Sequence, residues 1–176
     1  MVIYYIINIG QRDVFKVMTS IEQEIGDLLR QKGLTLGVVE SATGGLISHR
    51  ITNAPGSSDY YVGSITAYGN QAKIKIVGVK EDTLNKYGSV SPQVAEEMAQ
   101  GGKKVLAADI CLSDTGIAGP GGASPGKPVG LFYIGLAHRS KTYNHKHVFG
   151  RVREKNKQDA ADTALNCLKE YLIGLK

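Results

Sequence analysis

Gly37-Val38-Val39-Glu40-Ser41-Ala42-Thr43-Gly44-Gly45-Leu46-Ile47 decides how the chain folds. An apolar, Val-rich run, short enough for a buried strand, stops at two polar residues. A glycine pair follows, then apolar residues at helical spacing. This predicts a strand-turn-helix passage with Ser41 and Thr43 at the strand's carboxyl end, where open α/β sheets bind ligands. Free N–H groups at the helix start favour an anion, and Gly44-Gly45 allow close approach to the backbone. The plainer reading of the same residues is that Ser41 or Thr43 caps the helix and the glycines relieve a turn.

The elements around this passage alternate. Ser20 and Gln23 form a capping box ahead of an apolar stripe at Ile21, Ile25, Leu28 and Leu29, which Gly33 ends. Tyr60 to Tyr68 reads as a second strand. Asn70 is placed to cap a short helix holding Lys73. Glu81 to Tyr87 reads as another short helix, and Ser91-Pro92 starts a longer one in which Gly101-Gly102 is a weak point or a close-packing site. Ala108 to Asp114 reads as a third buried strand, followed by the one long Gly/Pro loop, Gly116 to Pro128. Val129 to Leu136 and Lys141 to Phe149 read as an antiparallel pair, and Ala161, Leu165, Leu168 and Leu172 stripe a final helix that Arg153 opens. The expectation is an α/β fold: a single three-layer α/β/α domain over residues 20–176, with a mixed, mostly parallel sheet and an antiparallel hairpin near the C-terminus. Residues 1–19 read as an arm or extra strand rather than a signal peptide.

Composition narrows the function classes. Hydrophobic content of 42% and charged content of 21% fit a soluble globular protein, and no apolar run approaches a membrane span. Cys111 and Cys167 stand alone in apolar contexts, which argues for reduced core thiols in a cytoplasmic protein. The net charge of +5 is uneven, with a basic surplus from Arg139 to Lys157. Nucleic-acid binding by that segment is disfavoured, since no aromatic stacking motif accompanies it. His145 and His147 fall on one face of a strand, but a metal pair lacks a third ligand and an exposed edge strand is the simpler reading.

Four features sit at element ends: Ser41 with Thr43, Lys73, Thr115 with its loop, and Arg153. A serine nucleophile needs a base, and no histidine lies near these turns. A lysine with a lowered pKa can serve, and Lys73 is the best placed, with Arg153 a source of neighbouring positive charge. On spacing alone Lys73 also reads as a surface lysine. The loop after Thr115 matches no standard phosphate motif; it is either a stiff connection or a nest for an anion.

These motifs, in this order, resemble the CinA C-terminal domain family, which includes stand-alone nicotinamide mononucleotide deamidases. The resemblance is carried by Glu40 to Gly45, Gly56-Ser57-Ser58, Tyr68 to Lys73, Val79 to Leu84, Gly88 to Ser91, Thr115 to Gly122 and Lys127 to Gly130. It implies hydrolysis of the carboxamide of nicotinamide mononucleotide to the acid and ammonia, without a metal or organic cofactor. It further implies Ser41 as nucleophile, Lys73 as base and Tyr68 as an assisting residue. Thr43, Gly44, Gly45, Asn70, Thr115, Gly116, Gly119, Gly121, Gly122 and Arg153 would bind the substrate. A homodimer is consistent with the resemblance and the apolar arm; a membrane partner is not expected. Three departures stand out: Ala42 where members commonly have Cys, Arg151-Val152 where they usually have Gly-Asp, and Lys157 where a second arginine is usual. The Ala42 change is expected to be tolerated, while the two around Arg153 motivate an alternative reading as a catalytically silent nucleotide-binding or regulatory module.

Overall fold

A computed structural model describes residues 4–8, 13–17, 19–150 and 152–175. Strands β1 (Tyr4–Asn8) and β2 (Asp13–Val17) pair antiparallel as a two-stranded sheet of their own. Residues 1–3, 9–12 and 18 of the expected arm, with Arg151 and Lys176, lie outside the described residues.

The main sheet begins with helix α1 (Ile21–Lys32), started by the reciprocal Ser20–Gln23 box and ended by Gly33 in the left-handed region at φ 61°. It leads into β3 (Leu36–Glu40), all five residues of which are buried. Helix α2 (Leu46–Thr52), a 3₁₀ turn at Ser57–Asp59 and β4 (Tyr61–Thr66) follow. Helices α3 (Asn70–Val77), α4 (Glu81–Tyr87) and α5 (Pro92–Val105) carry the chain over to β5 (Ile110–Gly116). The hairpin β6 (Leu131–His138) and β7 (Lys141–Val148) then precedes α6 (Arg153–Gly174).

The strand order is β4-β3-β5-β6-β7, with β3 parallel to both neighbours and β6 antiparallel to both of its own. Only β6 runs against the rest, so the mixed, three-layer expectation describes the sheet. Alternation along the strands divides the core between the two faces. Val38 and Leu112 pack with Ile25, Leu29, Ile47, Ile51, Leu165 and Leu168, whereas Val39 and Cys111 pack with Val77, Val94 and Met98 on the other side. The chain leaves β3 for β4 on one side and returns to β5 on the other. The carboxyl ends of β3 and β5 therefore flank the switch point where α/β sheets open a crevice.

Gly101 and Gly102 are a close-packing site. A Cβ on Gly101 would stand 1.6 Å from the Val77 carbonyl oxygen, and one on Gly102 would stand 2.1 Å from Val39 Cγ2. Local boundaries correct three expectations. Gly69, not Asn70, is the N-cap of α3, and Asn70 is its exposed first residue with no capping bond. Strand β5 continues through Thr115 and Gly116 because Tyr133 and Phe132 of β6 extend its pairing. The hairpin turn is only Arg139-Ser140, with Arg139 at φ 52°.

Candidate active site

Two carboxylates organise the turn after β3. Glu40 and Asp114 follow Val39 and Ser113, the last pair between β3 and β5, and both are fully buried. Asp114 Oδ1 accepts from Ser41 N–H at 3.0 Å, and its Oδ2 accepts from Ala42 and Thr43 N–H at 2.9 and 3.2 Å. Glu40 takes the next set: Gly45 and Ile47 N–H on Oε2 at 2.7 and 3.1 Å, and Ser48 N–H on Oε1 at 2.9 Å. Neither Ser41 nor Thr43 caps α2; the N-cap is Gly45 at φ 102°, and a carboxylate from the preceding strand satisfies the helix start. The open anion site expected at this helix N-terminus is thus filled from within. Thr43 is drawn inward, its hydroxyl 2.7 Å from Glu40 Oε2 and in a shorter contact with Asp114 Oδ1.

Lys73 lies in the first turns of α3 with 2% of its surface exposed, among the largest fully buried side chains. Its Nζ meets Ser41 Oγ at 2.8 Å, Ala67 O at 2.8 Å and Tyr68 O at 2.9 Å. None of these partners is a carboxylate. Burial lowers its pKa from the ordinary lysine value, and the Coulombic pull of Asp114 opposes that shift. The depression has its cause in desolvation rather than in Arg153. Ser41 itself is 7% exposed, enough for its hydroxyl to face the cleft.

A neutral amine has two protons and one lone pair. In Lys73 the two protons match the two carbonyls, which leaves the lone pair for the Ser41 hydroxyl proton. An arrangement of this kind can take the proton from a hydroxyl, with the amine oriented by backbone.

The cleft above this pair has a volume of about 290 Å³ and is lined by Ser41, Tyr68, Lys73, Thr115, Gly116, Gly119, Gly121, Gly122 and Arg153 among the residues the sequence singles out. Thr43, Gly44, Gly45 and Asn70 are not among its lining residues. Tyr68 is 60% exposed; its backbone carbonyl, not its phenol, holds Lys73, while the phenol oxygen accepts from Arg153 Nη2 at 3.1 Å. Arg153 Nη1 donates to Gly119 O at 2.8 Å, so the guanidinium bridges the mouth from the glycine-rich loop to the end of β4. Thr115 Oγ1 donates to Ser89 O at 2.7 Å and ties the loop's root to the segment before α5.

Sequence reasoning missed Glu40 and Asp114 as structural anchors, and Ala42, Ser89 and Val90 as lining residues. A buried-strand reading that ends on an acid was the available signal, since an acidic residue in such a run needs donors. Among the described residues, no group of three or more His, Cys, Asp or Glu is placed to hold a metal ion, and no helix is long and apolar enough to cross a membrane. His147 lies on the sheet-edge strand β7, stacked on Phe149, and the exposed His145 is its neighbour on the same face.

Comparison with known proteins places these features in a family context. A family model described as the CinA C-terminal domain matches residues 18–172. A competence-damage inducible protein of Halothermothrix orenii is 50% identical over 157 residues, covering 88% of this chain and 38% of that protein. A CinA-like protein of Kosmotoga olearia is 44% identical over 171 residues, covering 97% of this chain and 40% of its own length. The chain therefore spans about two fifths of the curated relatives it matches. Among solved structures, the competence damage-inducible protein A of Klebsiella pneumoniae superposes with a TM-score of 0.86 at 26% identity, covering 89% of this chain and 97% of that one. The competence/damage inducible protein of Agrobacterium tumefaciens gives 0.78 at 33% identity, covering 87% and 96%.

Proposed function

Because the chain belongs to the CinA C-terminal domain family, we propose that it is an amidohydrolase that converts nicotinamide mononucleotide to the corresponding acid and ammonia through an acyl-serine. The observation that carries this reading is the 2.8 Å contact between Lys73 Nζ and Ser41 Oγ, with the other two positions of the nitrogen held by carbonyls.

In the proposed reaction neutral Lys73 takes the Ser41 proton as Oγ bonds to the carboxamide carbon. The resulting ammonium gives that proton to the amide nitrogen, the C–N bond breaks and ammonia leaves. Lys73, neutral again, takes a proton from water, whose oxygen bonds to the acyl carbon. Return of the proton to Ser41 Oγ as the ester bond breaks restores the enzyme and frees the carboxylic acid. Asp114 occupies the N–H groups of Ser41, Ala42 and Thr43. The oxyanion therefore needs donors from the opposite wall, where the backbone of the Gly116 to Gly122 loop lines the cleft. Arg153 uses two N–H groups on Gly119 and Tyr68, and a guanidinium has five, so it keeps donors for a phosphate.

The test is ammonia release from nicotinamide mononucleotide by the parent, Ser41→Ala and Lys73→Ala proteins. Turnover by the parent alone supports the reading. Saturable binding without turnover by the parent replaces it with the nucleotide-binding module.

A further inference from the structure

The hydroxyl of Thr43 stands between two buried carboxyl groups. It lies 2.7 Å from Glu40 Oε2 and closer still to Asp114 Oδ1, and all three residues are 0% exposed. A hydroxyl has one proton to donate and can satisfy only one of these oxygens. The other contact sets oxygen lone pairs against one another unless a carboxyl proton lies between them. Water cannot relieve the conflict at zero exposure, and two ionised carboxylates this close do not share a dry site.

We propose that Glu40 and Asp114 hold one proton in common across the Thr43 hydroxyl, and that Asp114, kept neutral in this way, positions Ser41 without forcing a proton onto Lys73. The direction of the chain follows from the surroundings. Glu40 accepts from Gly45, Ile47 and Ser48 at the start of α2, where the helix dipole favours the anion. Asp114 also accepts three N–H groups, from Ser41, Ala42 and Thr43, but these belong to the turn and not to a helix start; on that difference Thr43 donates to Glu40, and Asp114 donates to Thr43. Burial, with Glu40 adding to it, pushes the Asp114 carboxyl up to about 6, the direction that favours its protonated form.

The groups bearing on this pair come from four other positions, three of them titratable. Lys73 of α3 feels Asp114, and Tyr61 of β4 feels Glu40. Lys157 of α6 lies over the turn, its Nζ 3.7 Å from where a Cβ on Gly44 would stand. Ser48 of α2 joins Glu40 to the Tyr61 hydroxyl. An ionised Asp114 raises the proton affinity of Lys73; a protonated Asp114 does not. The half of the proposal that concerns Lys73 rests on its role as base, proposed above.

The first measurement is isotope-edited infrared spectroscopy of the intact protein with carboxyl-labelled aspartate at neutral pH. The expected result is one protonated carboxyl stretch that is lost in Asp114→Asn and kept in Thr43→Ser. Absence of that stretch from the parent at neutral pH overturns the shared proton. The second measurement is the rate of Ser41 capture by a fluorophosphonate as a function of pH, which needs no knowledge of the substrate. Glu40→Gln leaves Asp114 as a lone, ionised carboxylate, so the acid limb moves up and capture at neutral pH falls about tenfold, the size of a shift of about one pH unit. A purely structural role for Glu40 lowers the rate at every pH without moving the limb, and that outcome overturns the link to Lys73. Capture of the parent without hydrolysis of nicotinamide mononucleotide defeats the amidase reading alone. A parent never captured at any pH defeats that reading and the link to Lys73 together, while the infrared stretch still decides the shared proton.

Discussion

Lys73 and Ser41, 32 residues apart in the chain, meet through one contact of 2.8 Å between Nζ and Oγ. The carbonyls of Ala67 and Tyr68 fix the lysine nitrogen from the other side, so its remaining position has a single direction, toward Ser41. A nitrogen held this way is specific to an amine of this length.

Lys73→Arg is accordingly expected to fail as a substitute. A guanidinium keeps its proton at any working pH and does not fit the two-carbonyl cradle. Ammonia release should fall about 10²–10⁴-fold in Lys73→Arg and in Lys73→Ala alike, the usual range for loss of a general base. Retention of more than about a tenth of the activity by the arginine variant would remove Lys73 as the base.

Activity should rise with pH along a limb set by Lys73. The ammonium has no lone pair for the Ser41 proton, so the protonated form is inactive. Burial lowers the lysine pKa from its ordinary value, which places the limb below the usual lysine range. The check is kcat/KM against pH at constant ionic strength. A rate that falls as pH rises through that region contradicts the assignment.

Gly101→Ala should destabilise the fold and weaken activity together. Its Cβ would meet the Val77 carbonyl at 1.6 Å, where α5 crosses the end of the helix that carries Lys73. Backbone overlap of this kind costs about 1–3 kcal/mol or more. Gly121→Ala, with nothing within 4 Å of its Cβ, serves as the control and should leave the urea midpoint unchanged.

Arg153→Ala should separate binding from chemistry. Loss of a charged donor pair costs about 1.5–3 kcal/mol, so KM for nicotinamide mononucleotide should rise about 10- to 100-fold with a smaller change in kcat. The phosphate-free nucleoside should show little difference between parent and variant. Equal effects on both compounds would place Arg153 in holding the loop and Tyr68 rather than a phosphate.

Thiol reagents should not inactivate the native protein. Burial pushes Cys111 up to about 12 and Cys167 up to about 11, which suppresses the reactive thiolate of both. Titration with a chromogenic disulfide should proceed at the rate of unfolding for Cys111. Rapid loss of activity on modification would point to a thiol in the chemistry.

The helix boundaries of α1, α4, α5 and α6 were legible because their signals are local: a capping box at Ser20, a left-handed stop at Gly33, and Ser91-Pro92. The turn holding Ser41 was legible as a place but not as a mechanism. What fills the donors there comes from Asp114, 73 residues away from Ser41, and strand pairing across that distance leaves no periodic trace near either residue. The Asn70 cap failed for a related reason. Gly69 takes the extended cap geometry, and Asn70 enters the helix without a capping bond. Lys73 could not be told from a surface lysine, since two backbone carbonyls rather than any charged neighbour accept its protons.

The clamp from Asp114 also sets an order of assembly during synthesis. A growing chain acquires Ser41 and then Lys73 well before β5 exists, and until β5 aligns with β3 nothing holds the three N–H groups of the serine turn. The serine turn therefore gains its geometry only when the middle of the sheet closes.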